Sequence, residues 1–138
     1  MNFSVIFLHA KRILSISKND FPLFAYSIEN RKGIKQYHNG TVRPRYCCMV
    51  LDGQLVAVMG LEILPKAIFI SPLEVHDDYR DMGIGSGLVK KLFSVNVENL
   101  ICYSSDDVVG FWEKLGFEKH GMTEYDEHRM VRRQSCVN

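Results

Sequence analysis

The pattern of apolar and polar positions becomes regular at Arg45. Tyr46 to Leu51 is a run of strand formers, Gln54 to Leu64 a second, and the Asp52-Gly53 pair between them is the strongest short hairpin signal. Gly60 inside the second run predicts a bulge or the close approach of another backbone. Ala67 to Val75 reads as a third strand interrupted by Pro72. Proline has no N–H to give to a ladder, so the pairing is expected to bulge or splay nearby. A glycine-rich turn follows, Gly83-Ile84-Gly85-Ser86-Gly87, and then a helix. Ile84, Leu88 and Leu92 share its apolar face with Val89 and Phe93, and Lys90 and Lys91 lie opposite.

Leu100 to Tyr103 is a short buried strand, and Ser104 or Ser105 is expected to cap the next helix. Asp106 and Asp107 suit the first turn of that helix, Val108, Trp112 and Leu115 form its stripe, and Gly116 ends it. Two strands, near Phe117 to Met122 and His128 to Arg132, close the pattern. Before Arg45 the reading is less determined. Phe3, Val5 and Phe7 alternate as on a strand, while Ile6, Ala10, Ile13 and Leu14 fit a helical face. Asn19 or Asp20 can open a helix with Pro22 in its first turn, and Lys32 to Gly40 reads as a loop. The order β-β-β-α-β-α-β-β after these segments predicts an α/β fold of the α+β type, a mixed sheet with helices packed on it.

Composition narrows the function classes. With 138 residues, 46% hydrophobic and 24% charged, residues 1–138 are expected to form a single domain. Seventeen basic against sixteen acidic residues supply no bulk attraction to nucleic acid or to an anionic membrane. The apolar stretch Phe3 to Leu8 is too short for a signal core or a membrane span. Cysteines 47, 48, 102 and 136 lack metal-ligand spacing, which fits reduced thiols in a cytoplasmic protein.

The glycine turn carries the clearest chemistry. Its glycines let the backbone approach a ligand, and the first amides of a helix have no partner within it. Together they suit a phosphate or pyrophosphate, with Arg80 adding charge at the edge. A P-loop would need Lys then Ser or Thr where Leu88 and Val89 stand. A dinucleotide fold would need the glycines after the first strand of a parallel series, not after a meander.

The segment Leu73-Glu74-Val75-His76-Asp77-Asp78-Tyr79-Arg80-Asp81-Met82-Gly83-Ile84-Gly85-Ser86-Gly87-Leu88 resembles the acetyl-CoA motif of the GNAT N-acetyltransferase superfamily. A second block, Leu100 to Ser105 followed by Val108 to Phe117, resembles that family's strand, helix and aromatic-x-x-x-G-F ending. The resemblance implies a GNAT-like, mostly antiparallel central sheet with a splayed strand pair, flanked by helices. It implies acetyl-CoA as cosubstrate. Gly83, Ile84, Gly85, Ser86 and Gly87 would hold the pyrophosphate by their amides, with Arg80 beside them. Leu73 and Val75 would pair with the pantetheine arm, and Ser105, Phe111 and Trp112 would complete the cofactor contacts. The Val75 N–H would face the thioester oxygen.

The family often places a tyrosine acid where this chain has Trp112, which has no labile hydroxyl; Tyr103, Cys102 or water is then the candidate acid. Glu62 and Glu74 are the candidate bases, with His76 just beyond. Phe69 occupies the position where the superfamily's histone enzymes place a glutamate. Tyr37, His38 and the acidic run Glu124-Tyr125-Asp126-Glu127 are candidates for acceptor contacts. The expected activity is acetyl transfer from acetyl-CoA to a primary amine by direct attack in a ternary complex. A small-molecule amine is the expected partner. The alternatives are a protein lysine or a non-catalytic CoA-binding module. A monomer or homodimer is expected.

Overall fold

Among the described residues, seven strands form one sheet in the order β1-β2-β3-β4-β5-β7-β6, and only one neighbouring pair, β4 with β5, is parallel. The computed structural model describes residues 3–8, 19–29 and 44–135. The strands are β1 (Phe3–Leu8), β2 (Pro44–Leu51), β3 (Gln54–Ile63), β4 (Ala67–Val75), β5 (Asn99–Ser104), β6 (Glu118–Met122) and β7 (His128–Arg133). Helix α1 (Pro22–Glu29) precedes β2, α2 (Ile84–Lys90) follows β4, and α3 (Val109–Lys114) follows β5. A mixed sheet with helices packed on it is what the element order predicted, and its mostly antiparallel pairing is what the resemblance implied.

The local expectations hold where turn chemistry governs them. Asp52 and Gly53 both take positive φ, 48° and 83°, as a tight hairpin between β2 and β3 requires. Gly116 takes φ 90° after α3. Gly116 N–H donates to the Glu113 carbonyl and Phe117 N–H to the Trp112 carbonyl, the Schellman pattern. Phe3 to Leu8 is a strand, paired along its length with β2, because this edge offers it ladder bonds. Ile6 of the alternative helical face is in β1, and Ala10, Ile13, Leu14 and the loop from Lys32 to Gly40 lie outside the described residues. Two expectations change. Ser105 makes no side-chain cap; the chain enters α3 through a 3-10 turn, Asp106–Val108, whose Val108 N–H bonds the Ser105 carbonyl. Helix α2 is shorter than its apolar stripe and passes through i to i−3 bonds up to Phe93.

The sheet has two differently filled faces. Cys47, Met59, Ile68, Ile70, Leu88, Leu100, Cys102 and Trp112 belong to the larger core, packed under α2 and α3. Phe21, Phe24, Tyr46, Cys48 and Val58 form a smaller core under α1. Burial raises the thiols of Cys47 and Cys102, and that of Cys48 to about 12, so all three stay protonated near neutral pH. No helix among the described residues is long and apolar enough to cross a membrane.

The bulge in β4 sets which residues meet which core. Met59 pairs with Leu73 but Leu61 pairs with Ile70, so Gly60 faces both Ser71 and Pro72. The extra residue inverts the alternation of β4. Ile68 and Ile70 face the larger core before it, and Leu73 and Val75 pack against that same core after it. Glu74 is thereby turned to the α1 face. Its carboxylate is buried and accepts from the amides of Leu23 at 3.3 Å and Phe24 at 2.8 Å. These are the orphan donors of the first turn of α1, whose leading position is Pro22, a residue with no N–H to satisfy. The cap expected from Asn19 or Asp20 thus comes from a strand 50 residues away.

Two predictions follow from this packing. A Cβ on Gly60 would lie 2.3 Å from the Ser71 carbonyl oxygen, and backbone on both strands would have to yield. Gly60→Ala is expected to lower the unfolding free energy by about 1–3 kcal/mol in denaturant titration. Glu74→Ala strands two amides, so it is expected to cost about 1–3 kcal/mol and to speed hydrogen exchange at Leu23 and Phe24.

Candidate functional site

The parallel pairing of β4 with β5 runs from Ala67 opposite Asn99 to Ile70 opposite Cys102 and stops there. Pro72 follows two residues on in β4. Beyond it, β4 remains paired with β3 as far as Val75, and β5 remains paired with β7 as far as Ser104. Each half of the sheet keeps its other neighbour while the two part from one another. The splay expected from Pro72 is therefore present, and it lies between β4 and β5.

The ladder also fixes which amides face the gap. His76 N–H donates to the Val56 carbonyl at 2.9 Å, so position 76 points toward β3. Amides alternate in direction along an antiparallel strand. Glu74 therefore also points toward β3, and the amides of Leu73 and Val75 point the other way, into the gap. Without the bulge the alternation would be reversed.

The glycine turn lies against this same edge. Asp81 and Gly83 adopt left-handed φ of 62° and 75°, which curls the chain ahead of α2. The first intrahelical bond runs from Gly87 N–H to the Gly83 carbonyl, so the amides of Ile84, Gly85 and Ser86 precede the helical ladder. Gly87 is thus engaged by its own helix, a correction to the equal standing of all five turn amides. A Cβ on Gly85 would come 3.4 Å from Val75 Cγ2, 3.6 Å from Phe111 Cζ and 3.7 Å from Leu73 Cδ2. Leu73, Val75, Gly85 and Phe111 therefore form one contiguous wall.

Arg80 folds back onto the end of β4. Its Nε donates to the Val75 carbonyl at 3.3 Å and its Nη2 lies 2.8 Å from Asp77 Oδ1, with the guanidinium more than half exposed. Trp112 is placed differently from the other expected cofactor contacts. It is 6% exposed and stacked edge-on between Phe111 and Phe117, with ring centroids 5.0 and 5.1 Å away, which makes it a core residue. Ser105 is exposed at the end of β5, where its carbonyl accepts from Ser104 Oγ at 2.9 Å.

On the α1 face, one row of side chains crosses three strands. Glu62 on β3 is 1% exposed and directly opposite Phe69 on β4. The Phe69 ring meets that of Tyr103 on β5 edge-on at 4.8 Å. Tyr103 is 38% exposed and lies at the parted end of β5. Of the other candidates, Glu74 is occupied by the α1 amides. His76 is occupied as well: Nδ1 accepts from Asp78 N–H at 3.1 Å, which leaves the ring proton on Nε2, 3.3 Å from Asp20 Oδ1. Cys102 is fully buried in the larger core. The acidic run lies at the exposed turn between β6 and β7, and Tyr37 and His38 lie outside the described residues.

One feature escaped the sequence reading. A cavity of about 430 Å³ lies beside β5 and β7, lined by Asn99, His120, Arg129, Val131 and Arg133 among others. The available signal was the spacing of Arg129, Val131 and Arg133, which places all three on one face of a strand.

Comparison with known proteins agrees with this geometry. The acetyltransferase (GNAT) family profile matches residues 10–117. No curated protein matches the sequence. Among solved structures, the PaiA N-acetyltransferase of Thermoplasma acidophilum in complex with coenzyme A superposes with a TM-score of 0.70 at 14% identity, over 96% of this chain and 99% of that one. The ribosomal-protein-S18-alanine N-acetyltransferase of Escherichia coli gives 0.67 at 16% identity, over 99% and 97%. The N-acetylglutamate synthase of Neisseria gonorrhoeae, complexed with coenzyme A and N-acetyl-glutamate, gives 0.69 at 18% identity, over 98% of this chain and 36% of that one. At these identities the superpositions establish the fold, and the profile match, which covers most of the chain, establishes the family. The parted strands, the glycine turn beneath them and that match lead to one conclusion: the chain belongs to the GNAT acetyltransferase family, acyltransferases whose cosubstrate is acetyl-CoA.

Proposed function

We propose that the chain acts as a single domain that transfers the acetyl group to a primary amine of a small molecule, by direct attack in a ternary complex. The observation that carries this reading is the gap between β4 and β5, into which the Leu73 and Val75 amides point while α2 begins directly alongside. Such a gap accepts an extended chain that carries amide groups of its own, as the pantetheine arm does. The amides of Ile84, Gly85 and Ser86 take the pyrophosphate at the start of the helix. The pair of Arg80 with Asp77 is exposed and worth at most about 1 kcal/mol, so the guanidinium can turn to a phosphate at little cost.

In this reading the Val75 N–H donates to the thioester oxygen as it becomes an oxyanion, a contact worth about 2.7–4 kcal/mol in the transition state. Attack requires a neutral amine. For a lysine-like group of pKa about 10.4, deprotonation near neutral pH costs on the order of 4–5 kcal/mol. Glu62 is our choice of base, because it lies on the α1 face in the row that leads through Phe69 to Tyr103 at the parted end of the sheet. Tyr103 is our choice of proton donor to the departing CoA thiolate; Trp112 has no labile hydroxyl, and Cys102 is sealed in the core. A cytoplasmic setting suits the unpaired thiols of Cys47, Cys48 and Cys102.

A panel of small amines and lysine peptides, assayed by release of free CoA thiol, tests the activity. Turnover of small amines at kcat/KM well above that of peptides is expected; the opposite order would make the protein a lysine acetyltransferase. In the same assay Glu62→Gln is expected to lower kcat about 100-fold or more, with unchanged acetyl-CoA affinity. An unchanged kcat would remove Glu62 from the mechanism. Ser86→Glu tests the pyrophosphate site. A glutamate in the first turn favours the helix, so stability is expected to hold, while its charge competes for the same amides. Acetyl-CoA affinity is expected to fall about tenfold or more by calorimetry.

A further inference from the structure

We propose that the cavity beside β5 and β7 anchors an anionic group, a carboxylate or phosphate, carried by the acceptor amine. The inference rests on the acetyl-transfer reading and names the chemical class of its acceptor. Arg129, Val131 and Arg133 alternate onto one face of β7, which carries both guanidiniums to the same cavity. Among the described residues neither guanidinium has a hydrogen-bond or ion-pair partner, and this separates them from Arg80 and Arg132. Arg80 is held by Asp77 and the Val75 carbonyl. Arg132, between them in sequence, points to the opposite face. It donates to the Leu115 carbonyl and to Gln134, and its guanidinium lies 3.7 Å over the Phe93 ring.

His120 adds a third nitrogen-bearing side chain, with Glu118 3.8 Å away, and Glu98 is the one carboxylate in the lining. Two permanent cations against one carboxylate leave the cavity positive. A guanidinium presents a planar fork of donors that matches a carboxylate or a phosphate edge, which makes arginine the suited residue for such a group.

Position connects the cavity to the reaction. Arg129 is the direct cross-strand partner of Tyr103, and Arg133 that of Asn99 at the other end of β5. Tyr103 marks the parted end of the sheet on the face that carries Glu62. An acceptor with its amine at Tyr103 therefore extends along β7 over Arg129 toward Arg133. Four residues of strand rise put the two arginines roughly 13 Å apart, so a chain of about six carbons, which spans little more than half that distance, carries an anion from an amine at Tyr103 past Arg129 to a point between the two guanidiniums.

Three amines of equal chain length test this: aminohexanol, aminohexanoate and aminohexyl phosphate. Each is titrated into the protein saturated with CoA, with binding read by NMR, and each is assayed with acetyl-CoA for release of free CoA thiol. The anionic amines are expected to bind about tenfold or more tighter than aminohexanol and to show a matching advantage in kcat/KM. The stronger of the two identifies the anion. In the double variant R129Q/R133Q the ratio of anionic to neutral amine is expected to fall to about one, and R133K is expected to keep part of the preference because it keeps the charge. Equal binding of all three amines overturns the proposal, and so does a preference that survives R129Q/R133Q. Turnover of aminohexanol alone leaves acetyl transfer standing and removes the anionic acceptor. Release of CoA with none of the three, nor with any amine of the wider panel, removes the acetyl-transfer reading itself.

Discussion

The contact of Gly60 with the Ser71 carbonyl holds the rest of the arrangement in place. A side chain on residue 60 cannot coexist with it, since a Cβ would stand 2.3 Å from that oxygen. The approach lets two residues of β4 oppose one of β3 and so inverts the alternation of everything that follows in β4. Pro72, which has no amide hydrogen, lies two residues after Ile70, the last residue paired with β5. The same short stretch thus parts the sheet and turns the next amides toward the opening.

Both faces of the sheet register this inversion. On one, Leu73 and Val75 join the larger core and abut Gly85, so the helix that follows starts against the opening rather than elsewhere on the sheet. On the other, Glu74 reaches the start of α1 and closes the two amides that Pro22 leaves next in line. His76 then locks the exit of β4 to Asp20, its ring edge-on to both Phe21 and Tyr79. Residues 73 to 76 alternately face the gap with the larger core and the α1 side.

What was legible beforehand divides along the range of the interactions. The Asp52-Gly53 hairpin, the Gly116 helix end and the disruption at Gly60 and Pro72 each follow from local backbone constraints, and each was readable from single residues. The glycine turn was readable for the same reason. The fate of the carboxylates was not. Glu62 and Glu74 look alike in sequence, both inside strands, and only the α1 packing, 50 residues away along the chain, shows that Glu74 already has its donors. The exact start of α1 was missed because its cap comes from that distance. Trp112 had the aromatic character that the resemblance asked for, but its burial between Phe111 and Phe117 depends on the convergence of three segments.

The same division separates the two halves of the site. The cofactor half, as proposed, consists largely of backbone: helix-leading amides, two strand amides and glycines that keep side chains out of the way. Backbone groups are the same in every sequence, so a few glycines and a proline suffice to place them. The acceptor half, as proposed, consists of side chains, Glu62, Phe69 and Tyr103 in a row, with Arg129 and Arg133 beyond. Their identities can change without disturbing the ladder that positions them, because each projects from a strand whose pairing is set by its backbone. A fold of this kind keeps one cosubstrate while its acceptor varies. In the proposed reading the information about the acceptor therefore resides in which charges the face of β7 carries, and in this chain those charges are two arginines with no carboxylate partner among the described residues.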